Sequence, residues 1–325
     1  MPNQMAGVTR ALRAGDIHNL LLMGTNMLSS FADASALAEG LARTRLVVSY
    51  DLFLNDTARR FADVVLPATA WLEELGCKMT HTHLYLMEPA LAPAGDARPL
   101  SALLKALAEK LDLAGFFPWA SDEALIDAIL DHPCTGHATV ASLRGRGGIG
   151  ALDISHIANP DLDFDTPSRK IEFYSARAAS LGLPPLPAFA ESAATDGAAS
   201  GTYPLALTQG RTLAHFHSFY NNGRELPTLA RIEKEPRLWL APADAAARRI
   251  ADGDAIRIFN HRGSMLARAH VTDRMQAGAV WVRDGWAELN RLTGGDAVLP
   301  DGAVDAFAFS AGQASFDASV EVAPA

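Results

Sequence analysis

Cysteine is scarce: the 325 residues contain two, Cys77 and Cys134, far apart in the chain. Four-cysteine zinc sites and four-cysteine iron–sulfur clusters are therefore excluded from this chain alone, and such usage suits a reducing compartment. Long apolar runs are also missing. Nothing approaches the roughly 18 residues a membrane helix needs; the run LLLM at 20–23 stops at Gly24-Thr25-Asn26. The opening MPNQMAGVTRALRAGD has no long apolar stretch and no cleavage-like end, so the expectation is a cytoplasmic protein without a secretory signal or membrane insertion. Positive charge is in deficit, with 28 Lys and Arg against 37 Asp and Glu and a net charge of −9. A nucleic-acid partner is not expected from such a balance. GxSxG and GxxxxGK[ST] are absent, which removes the serine-hydrolase and P-loop fingerprints, and the Gly24-Thr25-Asn26 turn after the first strand is not the GxGxxG of a standard dinucleotide fingerprint. What remains, 49% hydrophobic and 20% charged residues, is an ordinary globular composition.

The first third alternates short apolar runs with helical spacing. Residues 19–23 (NLLLM), 46–50 (LVVSY) and 63–66 (DVVL) read as buried strands, and 35–43 (SALAEGLAR), 57–61 after Asn55 or Asp56, and 100–111 (LSALLKALAEKL) read as helices. Apolar strands separated by helices imply a parallel sheet covered on both faces. In the middle, 122–130 is a helix capped by Ser121, 144–150 (RGRGGIG) a mobile turn, 171–174 (IEFY) a strand and 175–181 a helix. Residues 186–201, rich in Ala, Ser and Gly, read as a linker. The last third changes character. Strands at 205–208, 237–240, 255–259, 264–271 and 279–282 are separated by Asp252-Gly253-Asp254 and His261-Arg262-Gly263, with one helix over 243–249. Many strands with one helix argue for a small barrel. No internal repeat is seen.

Four places carry polar chemistry. Gly24 and Asn26 follow the first strand and Asp51 the second, at the edge where open α/β sheets bind ligands. A glycine turn brings backbone N–H groups to an anion, and a carboxylate accepts from ribose hydroxyls or a guanine edge. In TQGRTLAHFH at 208–217, Gly210 admits close backbone approach, Arg211 offers a planar fork for phosphate, and His215 and His217 share a side if the segment is extended. Asn290 and Thr293 offer amide and hydroxyl groups to a heteroaromatic ring; alternatively they satisfy their own turn. His81 and His83 form a second His-x-His, but nothing joins the two pairs, and no metal site is assigned. The adjacent Glu73 and Glu74 read as solvated helix residues.

In this order the motifs resemble the molybdopterin oxidoreductases of the dimethyl-sulfoxide-reductase type. LLLMGTNMLSSFADA, VVSYDLFLNDTARRFADVVLPATAWLEELG and GDARPLSALLKALAEKL resemble the third domain of that family. TPSRKIEFYSARAASLGLPPLP resembles its connector to the fourth. LALTQGRTLAHFH, PADAAARRIADGDAIRIFNHRGSMLARAHVTDRMQAGAVWV, NRLT and FSAGQASFDASVEV resemble its dinucleotide-binding barrel. The resemblance implies an α/β plus β fold. A partial Rossmann-like parallel-sheet domain at 1–115 is followed by a connector at 116–201 and a small six-stranded, double-psi-like barrel at 202–325.

The implied cofactor is molybdopterin guanine dinucleotide, with molybdenum held through the pterin dithiolene. Gly24, Asn26 and Asp51 would then sit near one guanosine. Gly210, Arg211, His215 and His217 would line pterin and pyrophosphate, and Asn290 and Thr293 would contact a pterin. Departures are as informative. No cysteine spacing serves a [4Fe–4S] cluster, no residue is assignable as the molybdenum ligand, and CKMTHTHLYLMEP replaces the Asn and Arg often found after Gly76. The implied function is the cofactor-binding C-terminal portion of a molybdenum oxidoreductase. It would be completed by an N-terminal molybdenum/iron–sulfur subunit or a missing half, and inactive alone. The alternatives are a non-catalytic cofactor-binding module or remnant and, from another class, a barrel-type hydrolase or decarboxylase. An unfilled packing surface should leave apolar groups exposed.

Overall fold

Asn19–Met23 (β1) and Leu46–Asp51 (β2) pair in parallel, Asn19 opposite Leu46 and Met23 opposite Tyr50, and Val64–Pro67 (β3) completes a sheet of order β1–β2–β3. The computed structural model describes residues 4–187, 201–215, 218, 224–294 and 318–325. Helices Met5–Ala14 (α1), Met27–Ser30 (α2), Ala34–Leu41 (α3) and Asp56–Phe61 (α4) accompany this sheet. Leu12, Leu28, Leu37, Leu41 and Val47 form its core, each no more than 2% exposed. α1 and α3 cross closely because Gly40 has no side chain: a Cβ there would lie 2.6 Å from Leu12 Cβ. Asp33 and Asn55 cap α3 and α4 by accepting from Ala36 and Ala58 N–H. α1 escaped the sequence reading. The expected burial of both sheet faces is not met, since Val64 and Val65 of β3 remain over 40% exposed. A three-stranded sheet leaves β3 as an edge.

Leu205–Gly210 (β7), Arg237–Leu240 (β8), Ala255–Phe259 (β9), Ser264–Val271 (β10), Ala279–Arg283 (β11) and Ala318–Pro324 (β12) close into a barrel of order β10–β8–β11–β7–β12–β9. β10–β8 and β11–β7 run parallel, while β10–β9, β11–β8, β12–β7 and β12–β9 run antiparallel. Alternation sends Leu238, Leu240, Ile256, Ile258, Val280 and Val282 inward to complete burial. The expected helix here spans Pro242–Ala247. The barrel and the first 65 residues belong to one compact unit, Met1–Val65 with Ala176–Ala325; Leu66–Ser175 form the other.

That second unit contains an antiparallel sheet of Gly76–Met79 (β4), His83–Met87 (β5) and Ile149–Ala151 (β6). Helices Asp122–Leu130 and Val140–Arg144 pack on it around Leu84, Ile126, Leu130, Val140 and Leu143. Ser121 caps the first of these as expected, accepting from Ala124 N–H. Three expectations need correction. Residues 171–174 form no strand, because no strand pairs with them among the described residues; Phe173 is 83% exposed. The 144–150 turn is partly regular: Arg144 ends a helix and Ile149 opens β6. Glu73 and Glu74 lie in a turn, not a helix, where Glu73 accepts from Ala70 and Ala94 N–H and Glu74 from the Thr69 hydroxyl. The helix expected at 175–181 spans Ala176–Ser180. Most of the 186–201 linker, residues 188–200, falls outside the described residues. Among the described residues no helix is long and apolar enough to cross a membrane.

Candidate functional site

Two polar corners lie in the first unit. The first is the carboxyl edge of β1 and β2. Gly24 N–H donates to Tyr50 O at 2.9 Å, and Gly24 turns the chain at φ +58°, a conformation that favours glycine. Asp51 is pinned on both oxygens: Oδ1 accepts from Leu52 N–H at 2.7 Å and Oδ2 from Asn55 Nδ2 at 2.8 Å. Asn26, only 6% exposed, holds the N-cap position of α2 without capping it. Its Oδ1 accepts instead from Thr57 Oγ1 at 2.8 Å, and Thr57 Oγ1 accepts from Leu28 N–H at 3.0 Å, so α2 and α4 are sewn together. Asn26 Nδ2 and Ser29 Oγ, both buried, have no partner among the described residues. Buried polar atoms are rarely left so.

The second corner is where β7 and β11 end. Gly210 pairs with Arg283, and a Cβ at Gly210 would lie 3.1 Å from Trp281 Nε1. Only glycine fits without moving that indole. Arg211 is exposed. Thr212 and His215 close a tight turn, Thr212 N–H to His215 O at 3.0 Å and His215 N–H to Thr212 Oγ1 at 3.2 Å. The His215 ring is 3% exposed and donates from Nε2 to Leu229 O at 3.3 Å, so it pins the loop to helix Pro227–Ile232. His217 lies outside the described residues.

A cleft of about 220 Å³ adjoins this loop, lined by Thr212, Glu233, Trp239, Trp281, Arg283 and Trp286 among others. Trp281, Trp239 and His270 stand opposite one another on β11, β8 and β10. Their ring centroids are 5.4 and 4.8 Å apart. Arg283 is paired with Glu233 at 2.6 Å and stacks over the Trp286 ring at 4.3 Å. Burial pulls the Arg283 guanidinium below its ordinary pKa, and the charges of Glu233 and Asp284 oppose that shift. Trp286 Nε1 is a buried donor without a partner among the described residues.

Asn290 and Thr293 link the corners. Asn290 is 3% exposed and donates from Nδ2 to Ser29 O in α2 at 2.9 Å. Thr293, fully buried, donates to Asn290 O at 3.3 Å. A second link is Arg224 Nη2 to Asp56 Oδ1 at 2.7 Å, in the first turn of α4. The structure thus brings Gly24, Asn26 and Asp51 together at one corner and Gly210, Arg211 and His215 at the other, with Asn290 reaching from the barrel to α2. Among the described residues no group of three or more His, Cys, Asp or Glu is placed to hold a metal. The sequence reading missed Glu233, Arg283 and the tryptophans. The run WVRDGW at 281–286, an arginine between two indoles, was the available signal. A glycine cradle, a pinned carboxylate and unpartnered buried polar atoms at both corners fit an acceptor-rich, heteroaromatic, phosphate-bearing group.

Comparison with known proteins places both halves of the chain. Residues 205–309 match the model of the molydopterin dinucleotide binding domain, and residues 1–110 that of molybdopterin oxidoreductase. The chain belongs to the molybdopterin oxidoreductase family, in the dimethyl-sulfoxide-reductase class. It is 31% identical to "Probable oxidoreductase YoaE" of Bacillus subtilis, over 84% of this chain and 39% of that protein. It is 30% identical to biotin sulfoxide reductase of Cereibacter sphaeroides, over 88% of this chain and 42% of that protein. The solved structure of acetylene hydratase from Pelobacter acetylenicus shares the fold at TM-score 0.81 with 19% identity, covering 98% of this chain and 46% of that one. The chain thus spans about two fifths of the length of these curated relatives.

Proposed function

We propose that this chain holds a molybdopterin guanine dinucleotide within a molybdenum oxidoreductase. The molybdenum ligand and any iron–sulfur cluster come from a partner polypeptide or from sequence beyond these residues. When bound, the pterin dithiolene carries the molybdenum at which two-electron or oxygen-atom transfer takes place. The chain's own residues bind and orient. Asp51, kept rigid by Leu52 and Asn55, has acceptor capacity left for a guanine edge or ribose hydroxyls. Asn26 and the turn at Gly24 flank the same base. Gly210 admits the pyrophosphate close to the backbone, and Arg211 supplies its charge-assisted donor. His215 acts by fixing the loop through Leu229. Asn290 and Thr293 fasten the barrel side of the pterin site to α2.

The observation that carries this reading is the convergence of two polar corners in one unit. It rests on the Asn290–Ser29 hydrogen bond and the Arg224–Asp56 ion pair. Protein purified from its native host should contain molybdenum and guanine nucleotide in fixed stoichiometry with the chain. Material with neither, assayed by metal analysis and by chromatography after acid hydrolysis, defeats the proposal. At residue level, Arg211→Ala should lower nucleotide retention at least tenfold, and His261→Ala should leave it within twofold. Equal retention in the two variants removes Arg211 from the site.

A further inference from the structure

We propose that Arg283 is a positioning residue which, paired with Glu233, closes a ring of contacts that sets the shape of the 210–215 loop. The inference deepens the reading of that loop as a nucleotide-holding element. Arginine at a strand end ordinarily carries its head into water. By alternation, Arg283 shares the outward side of β11 with Trp281, while Val280 and Val282 point into the barrel core. Yet Arg283 is 3% exposed. Glu233 and Trp286 account for this, the carboxylate at 2.6 Å and the indole ring at 4.3 Å, and Arg283 Nη1 donates to Asp284 O at 2.7 Å.

A buried ion pair is weak evidence for stability, because well-packed apolar groups often replace it without loss. What the planar guanidinium adds is placement: Nη1 donates to Asp284 O and the plane stacks on Trp286, which holds the charge 2.6 Å from the Glu233 carboxylate. From there the contacts lead around the loop. Glu233 follows helix Pro227–Ile232, and its N–H donates to Leu229 O at 3.1 Å. Leu229 O also accepts from the His215 ring, and His215 closes the turn with Thr212. On the other side, Arg283 stands in register with Gly210, and Asp284 N–H donates to Gly210 O at 3.0 Å. The ring Arg283, Glu233, Leu229, His215, Thr212, Gly210 returns to Arg283. Breaking it at the ion pair frees the helix end and the loop while every barrel hydrogen bond stays in place. Glu235, which lines the same cleft but pairs outward with Arg268 at 3.3 Å, is not in the ring.

Limited trypsin digestion of the full chain tests this, because Arg231 and Lys234 are cleavable positions beside the clamp and Lys110 reports on the other unit. Glu233→Gln, which keeps the side chain's shape, should raise cleavage at Arg231 and Lys234 at least fivefold and leave Lys110 unchanged. Arg283→Lys, keeping charge without the plane, should restore only part of the protection that Arg283→Met removes. Glu235→Gln should match the unaltered chain. Unchanged cleavage in Glu233→Gln overturns the clamp, and so does acceleration at all sites alike. Full protection in Arg283→Lys overturns the role of the plane. Guanine nucleotide retention, measured on the same variants from the native host, separates the two claims. Raised cleavage with undiminished retention leaves the clamp standing and overturns the loop's nucleotide role.

Discussion

The barrel and the unit Leu66–Ser175 solve the burial problem differently. Barrel strands contribute Leu238, Leu240, Ile256, Ile258, Val280 and Val282, all at 0% exposure, to a core sealed by closure. Closure also removes every free strand edge. The other unit has an open sheet of three strands and a core of six buried residues. Its helix Leu100–Lys110 buries no residue, although Leu and Ala recur along one side. Trp71, Phe116, Ile157 and Phe173 are between 64% and 83% exposed in the same unit. Leu266 of β10 is also 65% exposed, but the exposed large apolar side chains concentrate in the open unit, and unfilled apolar surface of this kind is what a chain should show when it packs against further protein. That agrees with the greater length of its relatives.

The sharpest way to break the contrast is to remove equivalent methylenes from each core. Ile258→Ala should destabilise the barrel by about 4 kcal/mol, near the upper part of the large-to-small range, because a closed wall cannot collapse onto the cavity. Ile126→Ala, in the smaller core under an open sheet, should cost about 2 kcal/mol. Denaturant unfolding should show two transitions, the first assigned to Leu66–Ser175. A single transition, shifted equally by both substitutions, would dissolve the distinction.

The same contrast explains what the sequence made legible. β8, β9 and β10 were read with their observed bounds, since strict alternation and the Asp252-Gly253 and Arg262-Gly263 turns mark both faces and both ends. β4 and β5 were not seen, because GCKM and HLYLM lack that alternation and the hairpin is half-exposed. IEFY at 171–174 has strand propensity but no partner strand among the described residues, and propensity without pairing makes no sheet. The placement of Gly24 and Asp51 at the carboxyl edge of β1 and β2 was legible from the alternation of strands and helices. For Asn290 the residue pattern left a ligand contact and a self-satisfied turn both open, and it held no sign of the hydrogen bond to Ser29 in α2, 261 positions away in sequence. Arg283 was invisible for the same reason. Its burial depends on Glu233 and Trp286, and local pattern holds no record of which side chains fold over a strand end.

A smaller effect is expected at the exposed apolar surface. Phe116→Asp combined with Phe173→Asp should reduce binding of a hydrophobic dye by more than half and diminish self-association, with both unfolding midpoints unchanged. Substitutions at such exposed positions rarely move stability by more than about 0.5 kcal/mol. Dye binding that follows barrel substitutions instead would reverse the comparison.

The smallest effect separates the units by charge. Arg144 bridges two carboxylates of the second unit, Glu88 after β5 and Glu123 in helix Asp122–Leu130, and all three side chains are about half exposed. The Arg144 hydrogen bond holds the Glu88 carboxyl below its ordinary range. A depressed carboxylate contributes stability above its unfolded pKa, about 4.3 for glutamate, and loses it as pH falls through the folded value. Exposure and salt screening keep that contribution small. Glu88→Gln should therefore lower the midpoint of the first transition slightly at neutral pH and low salt. The difference should begin to fade as pH drops below the ordinary glutamate range and vanish only below the depressed folded value, where the unaltered side chain is protonated too, and should shrink at high salt. The barrel has the opposite arrangement in Arg248, which is 15% exposed and paired with Glu321 of β12. Its response to salt should be weaker, because a pair withdrawn from water is screened less. If both midpoints respond equally to salt, the second unit is as well shielded as the barrel, and the exposure that sets them apart does not persist in solution.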